Sequence, residues 1–547
     1  MKKKWIALLL AGVLALTPVL SGCSSGDGES SSSASGEAPA QELTVAVASQ
    51  IFTLDPALNS TTHLNHPIFA ANPTLFYKNE KGELVNDLCK EYTISDDGLT
   101  YTFTLIDGVK WSDGQPLTAN DFVYGIKRAI GYGPDNTFNA SNLTNFVKGA
   151  AAANESMLDV AQMDNVGVYA PDDKTLVIEL STPCPYFLSV TEAGVFMPLR
   201  PDFAKEHEST WSLQPGYPTV GAFQLESVNE NEQATFVKNP SYYKADEVKL
   251  EKLQFLVMTD ENAQLAAFKS GQIGIALGVP SDTATNSAFQ DNFLKLEYYT
   301  CPYFVAINSG EKGPEALKDA RVRKALALAT NRDAMVTVLN GGDFITPLNG
   351  YVPYGFPGLN GDFRTEKNDY LAYNPEESKR LLEEAGYNES NPLQLTYLYS
   401  SSQLHGDVAQ MLQQQWAAVG VDLKLQAVEM GVFYDYVDYG DFELSRYGFS
   451  NSSDPLAYFK IWKSSEQAVA AVDDPKLDEM IDDAYNTVDH TEYLNKLHDI
   501  ETYMLEEQCY LIPLFVQEPV KLVQTNVKGV WANPGGRLTF TGAEITA

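Results

Sequence analysis

Few residues of this chain are of a type and spacing that could do chemistry. His63 and His66 stand as His-x-x-His and could offer two imidazoles to a metal, but Pro67 follows at once and no third ligand stands nearby. The single Gly-x-Ser-x-Gly run, from Gly22 to Gly26, lies behind a leading apolar segment and not between a strand and a helix, so Ser24 is no esterase-type nucleophile. A phosphate-cradling Gly-rich loop with its Lys, a His-Glu-x-x-His helix and an acidic calcium loop are all absent. Asp473-Asp474 and Asp482-Asp483 read as solvated faces. No catalytic residue, metal or cofactor is expected. Binding chemistry is what remains, and its candidates lie between Met430 and Pro455. There Gly440 to Phe449 runs into Ser450-Asn451-Ser452-Ser453-Asp454.

These residues must be positioned by a large fold. At 547 residues the chain exceeds the roughly 250–300 that one hydrophobic core can organise, so two or more lobes are expected. A content of 44% hydrophobic and 20% charged residues is that of an ordinary globular protein, and the 29 Tyr and 26 Phe read first as β-rich core filling. With 72 acidic against 38 basic residues, the net charge of −34 disfavours nucleic acid as a partner, since phosphate binding draws on clustered Lys and Arg.

The amino terminus reads as an export signal, residues 1–22. Lys2-Lys3-Lys4 precede a short apolar run, Ile6 to Leu16, which Pro18 and Ser21 interrupt before it could span a bilayer. Its ending, Leu20-Ser21-Gly22-Cys23, resembles the lipobox of bacterial lipoproteins, which implies lipidation at Cys23 and anchoring at the outer face of the membrane. Residues 23–41 are a Ser-rich tether with no large apolar residue after Cys23, and disorder is expected of them. Cys89, Cys184, Cys301 and Cys509 are too scattered for a disulfide scaffold and read as buried free thiols, although three pairings are possible.

Period-two alternation predicts strands at Glu42–Ala48, Tyr101–Leu105 and Val166–Leu180, the last a hairpin turning at Pro171-Asp172-Asp173. The stretch from Lys110 to Arg128 joins a strand end, a Ser-Asp-Gly turn and a helix with Thr118 at its cap, Asp121 in its first turn and Phe122, Ile126, Ala129 and Ile130 as its buried stripe. Asp260 caps a helix ending on Gly271, and a single amphipathic helix is predicted over Leu317–Asn331. From there the pattern alternates, with strands at Leu393–Tyr399 and Val421–Val428 around a helix at Val408–Val419, a βαβ unit. Two further helices and a returning strand at Leu511–Val516 follow.

Several of these stretches resemble, in order and spacing, the extracellular solute-binding proteins of family 5, the oligopeptide- and dipeptide-binding receptors of ABC importers. They are Leu54-Asp55-Pro56, the Lys110–Arg128 segment, Gly221-Ala222-Phe223, Asn239-Pro240-Ser241-Tyr242-Tyr243, Asp319 to Leu326 and Leu381 to Tyr387. The resemblance implies an α/β, two-lobe periplasmic-binding-protein-like fold, the type II, three-lobe peptide-binding variant, with a hinge between lobes. Lobe I is placed at 42–70, 195–305 and 515–547, an inserted lobe II at 71–194 and lobe III at 306–514. It also implies a monomeric receptor without enzymatic activity, delivering a peptide to an ABC permease and its ATPase subunits. By the same resemblance Phe449 matches a ligand-facing Trp, Arg446 an Arg able to face a ligand carboxylate, and Asp454-Pro455 the closing acidic-Pro pair. Met430 stands where relatives often carry an aromatic, a softer pocket wall. The Asp that holds the peptide's α-amine in relatives is missing, with Asn451 or Ser452 in its place, in a loop one residue shorter. Burying an ammonium without a carboxylate costs several kcal/mol. Either Asp454 has taken that role or the ligand lacks a free amine: a modified peptide, a nickel complex or an oligosaccharide. Core packing for Phe449 and a surface or inter-strand salt bridge for Arg446 are the plainer readings. A surface peptide hydrolase and a peptide pheromone sensor are the remaining alternatives.

Overall fold

The computed structural model describes residues 39–547, apart from 60, 135–136, 297, 369, 389, 451–453, 466–471 and 488. Three sheets carry the chain. The first, six-stranded, orders Leu522–Val523, Ile275–Ala276, Glu42–Val47, Lys252–Val257, Gln233–Lys238 and Phe223–Asn229. Its central strand, Glu42–Val47, pairs in parallel with both neighbours and buries Leu43, Val45 and Val47. The second is a four-stranded antiparallel sheet of Cys89–Ile94, Thr100–Leu105, Thr175–Glu179 and Val168–Asp172. The predicted alternation is visible in it, with Tyr101, Phe103 and Leu105 buried. The third, again six-stranded, orders Ile345–Pro347, Leu511–Gln517, Pro302–Ile307, Leu444–Gly448, Leu393–Ser400 and Val421–Val428. The chain passes between the first and third sheets twice, after Ala276 and after Gln517. The two passages run side by side, the Leu296 N–H donating to Glu518 Oε1 at 3.0 Å and the Leu294 N–H to the Lys521 carbonyl at 3.0 Å.

The Lys110–Arg128 stretch fastens the second sheet to the first. Asp121 Oδ2 accepts the Thr118 N–H at 2.9 Å, its hydroxyl at 3.1 Å and the Trp111 indole N–H at 3.3 Å, closing turn and helix start into one unit. Helix Ala119–Gly131 then buries Phe122, Ile126, Ala129 and Ile130, and near its end aims Arg128 at Asp55, just past the first strand. Asp55 is fully buried, and its Oδ2 accepts from Arg128 at 2.5 Å, Trp211 at 3.0 Å and Tyr132 at 3.2 Å, while Oδ1 takes the Ala57 N–H at 3.0 Å. The Leu-Asp-Pro signature is therefore a buried charge with four donors.

A second buried pair holds the helical side of the third sheet. Arg364 and Glu501 have fully buried side chains, with Nη1 and Nη2 reaching the carboxylate at 2.5 and 2.7 Å, and Glu501 also accepts the Tyr351 and Val352 N–H groups at 2.7 and 3.0 Å. Burial alone would push a carboxyl up, yet the Arg364 charge and these donors hold Glu501 below the ordinary range. Gly350 makes the pair possible, because a Cβ there would fall 1.7 Å from Arg364 Nη1.

One predicted element differs. The helix expected over Leu317–Asn331 is broken into Glu315–Lys318 and Ala320–Leu328, and Arg332–Leu339 begins a new helix. Asp319 and Asn331 are the cause: each turns its side chain onto an N–H ahead of it, Arg321 at 2.9 Å and Ala334 at 2.9 Å, which starts a helix and ends the one before. The βαβ unit is present, Leu393–Ser400 pairing in parallel with Val421–Val428 across helix Gln403–Ala417. Cys89, Cys184, Cys301 and Cys509 are free, and all but Cys301 are buried.

Asp55→Ala leaves the Arg128 charge in an apolar seam without its partner and should cost about 3–5 kcal/mol in denaturant unfolding, the scale for breaking a buried pair. A loss below about 1 kcal/mol would mean that the pair is solvated in practice.

Candidate functional site

Strands Leu393–Ser400, Val421–Val428 and Leu444–Gly448 are parallel, so their carboxyl ends share one edge of the third sheet. Strand Pro302–Ile307 runs against Leu444–Gly448 with Tyr303 opposite Gly448, which brings its amino end, and Cys301 before it, to the same edge. Such an edge, where parallel pairing meets antiparallel, is where open α/β sheets gather ligand-binding residues. Helices Gln403–Ala417 and Met430–Asp438 start from it and supply further side chains.

Arg446 sits at the centre. Its Nε and Nη2 donate to Ser400 Oγ at 3.2 and 2.9 Å, and its guanidinium carbon lies 4.5 Å from the centre of the Phe433 ring. Stacking of this kind contributes about 0.5–2 kcal/mol and holds the fork flat. The hydroxyl of Ser400 thus ties Arg446 to the neighbouring strand. Around it lie His405, whose Nδ1 shares a hydrogen bond with the Tyr303 hydroxyl at 3.0 Å, and Cys301. Burial and then the Arg446 charge hold His405 down to about 4, so it is neutral at pH 7. Burial pushes the Cys301 thiol up to about 11, with Arg446 opposing, so it is no thiolate nucleophile. A guanidinium in this setting suits a carboxylate, which it can meet with two parallel N–H donors. Ser400 accepts from Arg446 and so lacks the activating base an acyl-transfer nucleophile needs.

The other expected site residues fall on the same chain segment. Phe449 is half-buried with its ring edge-on to Tyr458, centroids 5.6 Å apart at 89°, so it packs on the core. Asp454 Oδ1 accepts the Leu456 N–H at 2.8 Å, starting helix Leu456–Lys460, and also accepts from the Tyr493 hydroxyl. Burial pushes Asp454 up to about 6 against the Tyr493 and Leu456 donors and the Lys78 charge. Met430 opens helix Met430–Asp438, its side chain lying outside the described part, as do Asn451, Ser452 and Cys23. Of the two histidines first considered, His66 is buried with Nδ1 accepting the Leu538 N–H at 3.1 Å, and among the described residues no cluster of three metal-ligating side chains occurs.

Sequence reading missed Ser400, Phe433, His405, Tyr303, Lys78 and Tyr493. Each meets Arg446 or Asp454 only through the fold, Ser400 lying 46 positions from Arg446 and Tyr493 39 positions from Asp454. The one available signal was topological: Ser400 and Val428 end strands of a βαβ unit, and such ends converge.

Residues 83–469, more than half of the chain, match the family model of the bacterial extracellular solute-binding proteins, family 5 Middle. The oligopeptide-binding protein OppA of Bacillus subtilis (strain 168) is 28% identical over 99% of both chains. The dipeptide-binding protein DppE of the same organism is 28% identical over 84% of this chain and 83% of its own. Among solved structures, the unliganded open form of the periplasmic murein tripeptide binding protein MppA superposes with a TM-score of 0.79 at 26% identity, over 93% of this chain and 98% of that one.

Two outcomes follow from the geometry. Arg446→Met removes the charge facing His405, so the imidazole should titrate above its present value of about 4, read by NMR; an unmoved titration would place Arg446 too far away to act. Asp454, raised in the folded state, binds a proton there that the unfolded chain has already lost, so stability should fall as pH rises from about 4 to about 6. Partial exposure limits the size to on the order of 1 kcal/mol. Asp454→Asn should flatten that part of the stability profile, and an unchanged slope would assign it to another group.

Proposed function

The chain belongs to the bacterial extracellular solute-binding proteins of family 5, a family of receptors that are not enzymes, and on that footing we propose that it captures peptides outside the cell and delivers them to an ABC permease. The observation that carries the peptide reading is the Arg446 guanidinium, over the Phe433 ring at the shared carboxyl edge of three strands, where a peptide's terminal carboxylate can meet it. The peptide-binding relatives support the same class of solute. Peptide backbone would be held by main-chain groups in the manner of an added strand, leaving side chains to permissive pockets. Phe449 would pack against the ligand. Asp454 already accepts the Leu456 N–H and the Tyr493 hydroxyl at Oδ1, a helix-starting role that does not call for a ligand amine.

In this reading the lobes are residues 42–70, 195–305 and 515–547, then 71–194, then 306–514, and the passages at Leu294–Leu296 and Glu518–Lys521 are the hinge on which they close over the peptide. Cys23 would carry the lipid that keeps the monomeric receptor at the outer face of the membrane, beside the permease and its ATPase subunits.

Calorimetric titration of the mature protein with peptides of two to six residues tests the assignment. Free and N-acetylated forms should bind alike, C-amidated forms about tenfold or more weakly, and Arg446→Met should abolish that difference. Equal affinity for acid and amide, or the appearance of cleavage products, would refute it.

A further inference from the structure

A cavity of about 290 Å³ opens between the first-sheet helix Asn65–Ala71, the segment Pro73–Tyr77 and the hairpin Trp531–Thr539, and none of the residues at the Arg446 edge lines it. The hairpin presents one cation to it. Strands Trp531–Ala532 and Leu538–Thr539 pair, the turn is tied by Asn533, whose N–H donates to the Arg537 carbonyl at 3.0 Å and whose Oδ1 accepts the Arg537 N–H at 2.9 Å, and Leu538 is pinned to His66. The Arg537 guanidinium then lies with its carbon 3.9 Å from the centre of the Phe69 ring, flat against one wall.

Among the described residues, Arg537 has no carboxylate at ion-pair distance and its side chain makes no hydrogen bond. Two carboxylates line the cavity, Asp87 and Glu247; Asp87 is already engaged by Tyr243 and by Lys244 at 3.4 Å, Glu247 makes no ion pair with Arg537, and Asp87 and Glu192 act on Arg537 only through space. A planar cation with five donors and no acceptor, set over an aromatic ring in a partly enclosed space, lacks the partner such a group ordinarily has. Tyr77 and Trp531, their ring centres 6.2 Å apart, supply flat apolar walls. The volume stands at the lower limit of the range for ligand pockets, about 300–1,000 Å³, so the occupant is small.

We propose that this cavity is a second ligand site, separate from the peptide cleft, that takes a small carboxylate with a flat apolar body, its carboxylate on Arg537 and its ring against the wall that Tyr77 and Trp531 form together. The site joins the first-sheet side to the segment leading into the second sheet, so an occupant would stiffen the seam that Asp55 and Arg128 also hold.

The test is fluorine NMR of the mature protein with 4-fluorobenzoate, and with 4-fluorobenzamide as its uncharged match. The acid should bind and the amide should not. Arg537→Gln should weaken the acid by about tenfold or more, the loss expected of a charge-assisted pair, while affinity for peptide stays unchanged. Should Arg537→Gln fail to fold, Thr539→Phe, which fills the cavity from its partly exposed strand, must remove the signal instead. Equal binding of acid and amide, acid binding that survives both substitutions, or loss of the signal in Arg446→Met alone would overturn the proposal.

Discussion

The carboxylate of Asp55 is the constraint on which the arrangement of sheets depends. A buried anion is tolerable only when its donors are fixed, and here they come from three places: Arg128 and Tyr132 around the end of the inserted helix, Trp211 beyond the second sheet, and the backbone of Ala57 beside it. Meeting that requirement decides where helix Ala119–Gly131 must end relative to the first strand. The Trp111, Thr118 and Asp121 unit in turn decides where the same helix begins. The Lys110–Arg128 stretch is therefore a strut cut to length at both ends.

The third sheet solves a different problem, that of presenting a charge without burying it. Arg364 is enclosed and neutralised by Glu501 in a site with no room for anything else, as the contact distance at Gly350 shows. Arg446, by contrast, donates to a neutral hydroxyl and lies beside an aromatic ring, and its charge helps hold His405 down. One arginine is structural because its carboxylate is built in. The other lies at the strand edge where open α/β sheets gather ligand-binding residues.

Local structure was legible where one side chain sets one element. The alternation at Tyr101–Leu105, the Asp121 closure and the elements of the βαβ unit all follow from neighbours within a few positions, whereas the candidate segment around Arg446 rests on the resemblance to the family. The helix over Leu317–Asn331 was misread because its apolar period continues through Asp319 and Asn331, and only the capping bonds of those two residues reveal the breaks. What no local pattern could give were pairs distant in the chain: Asp55 with Arg128 at 73 positions, Arg364 with Glu501 at 137, Arg446 with Ser400 at 46. Even where the stretches stand out in sequence, as around Asp55 and Arg128, nothing local names the partner, and only the register of the sheets and the ends of the helices bring the pairs together.

The most direct measurement is a crystal structure of the mature protein with its co-purified or added peptide. The account predicts ligand density at the carboxyl edge of the third sheet, with an anionic group of the ligand on the Arg446 guanidinium and Phe449 against its body. Density elsewhere in the cleft, with no group of the ligand on Arg446, would contradict it.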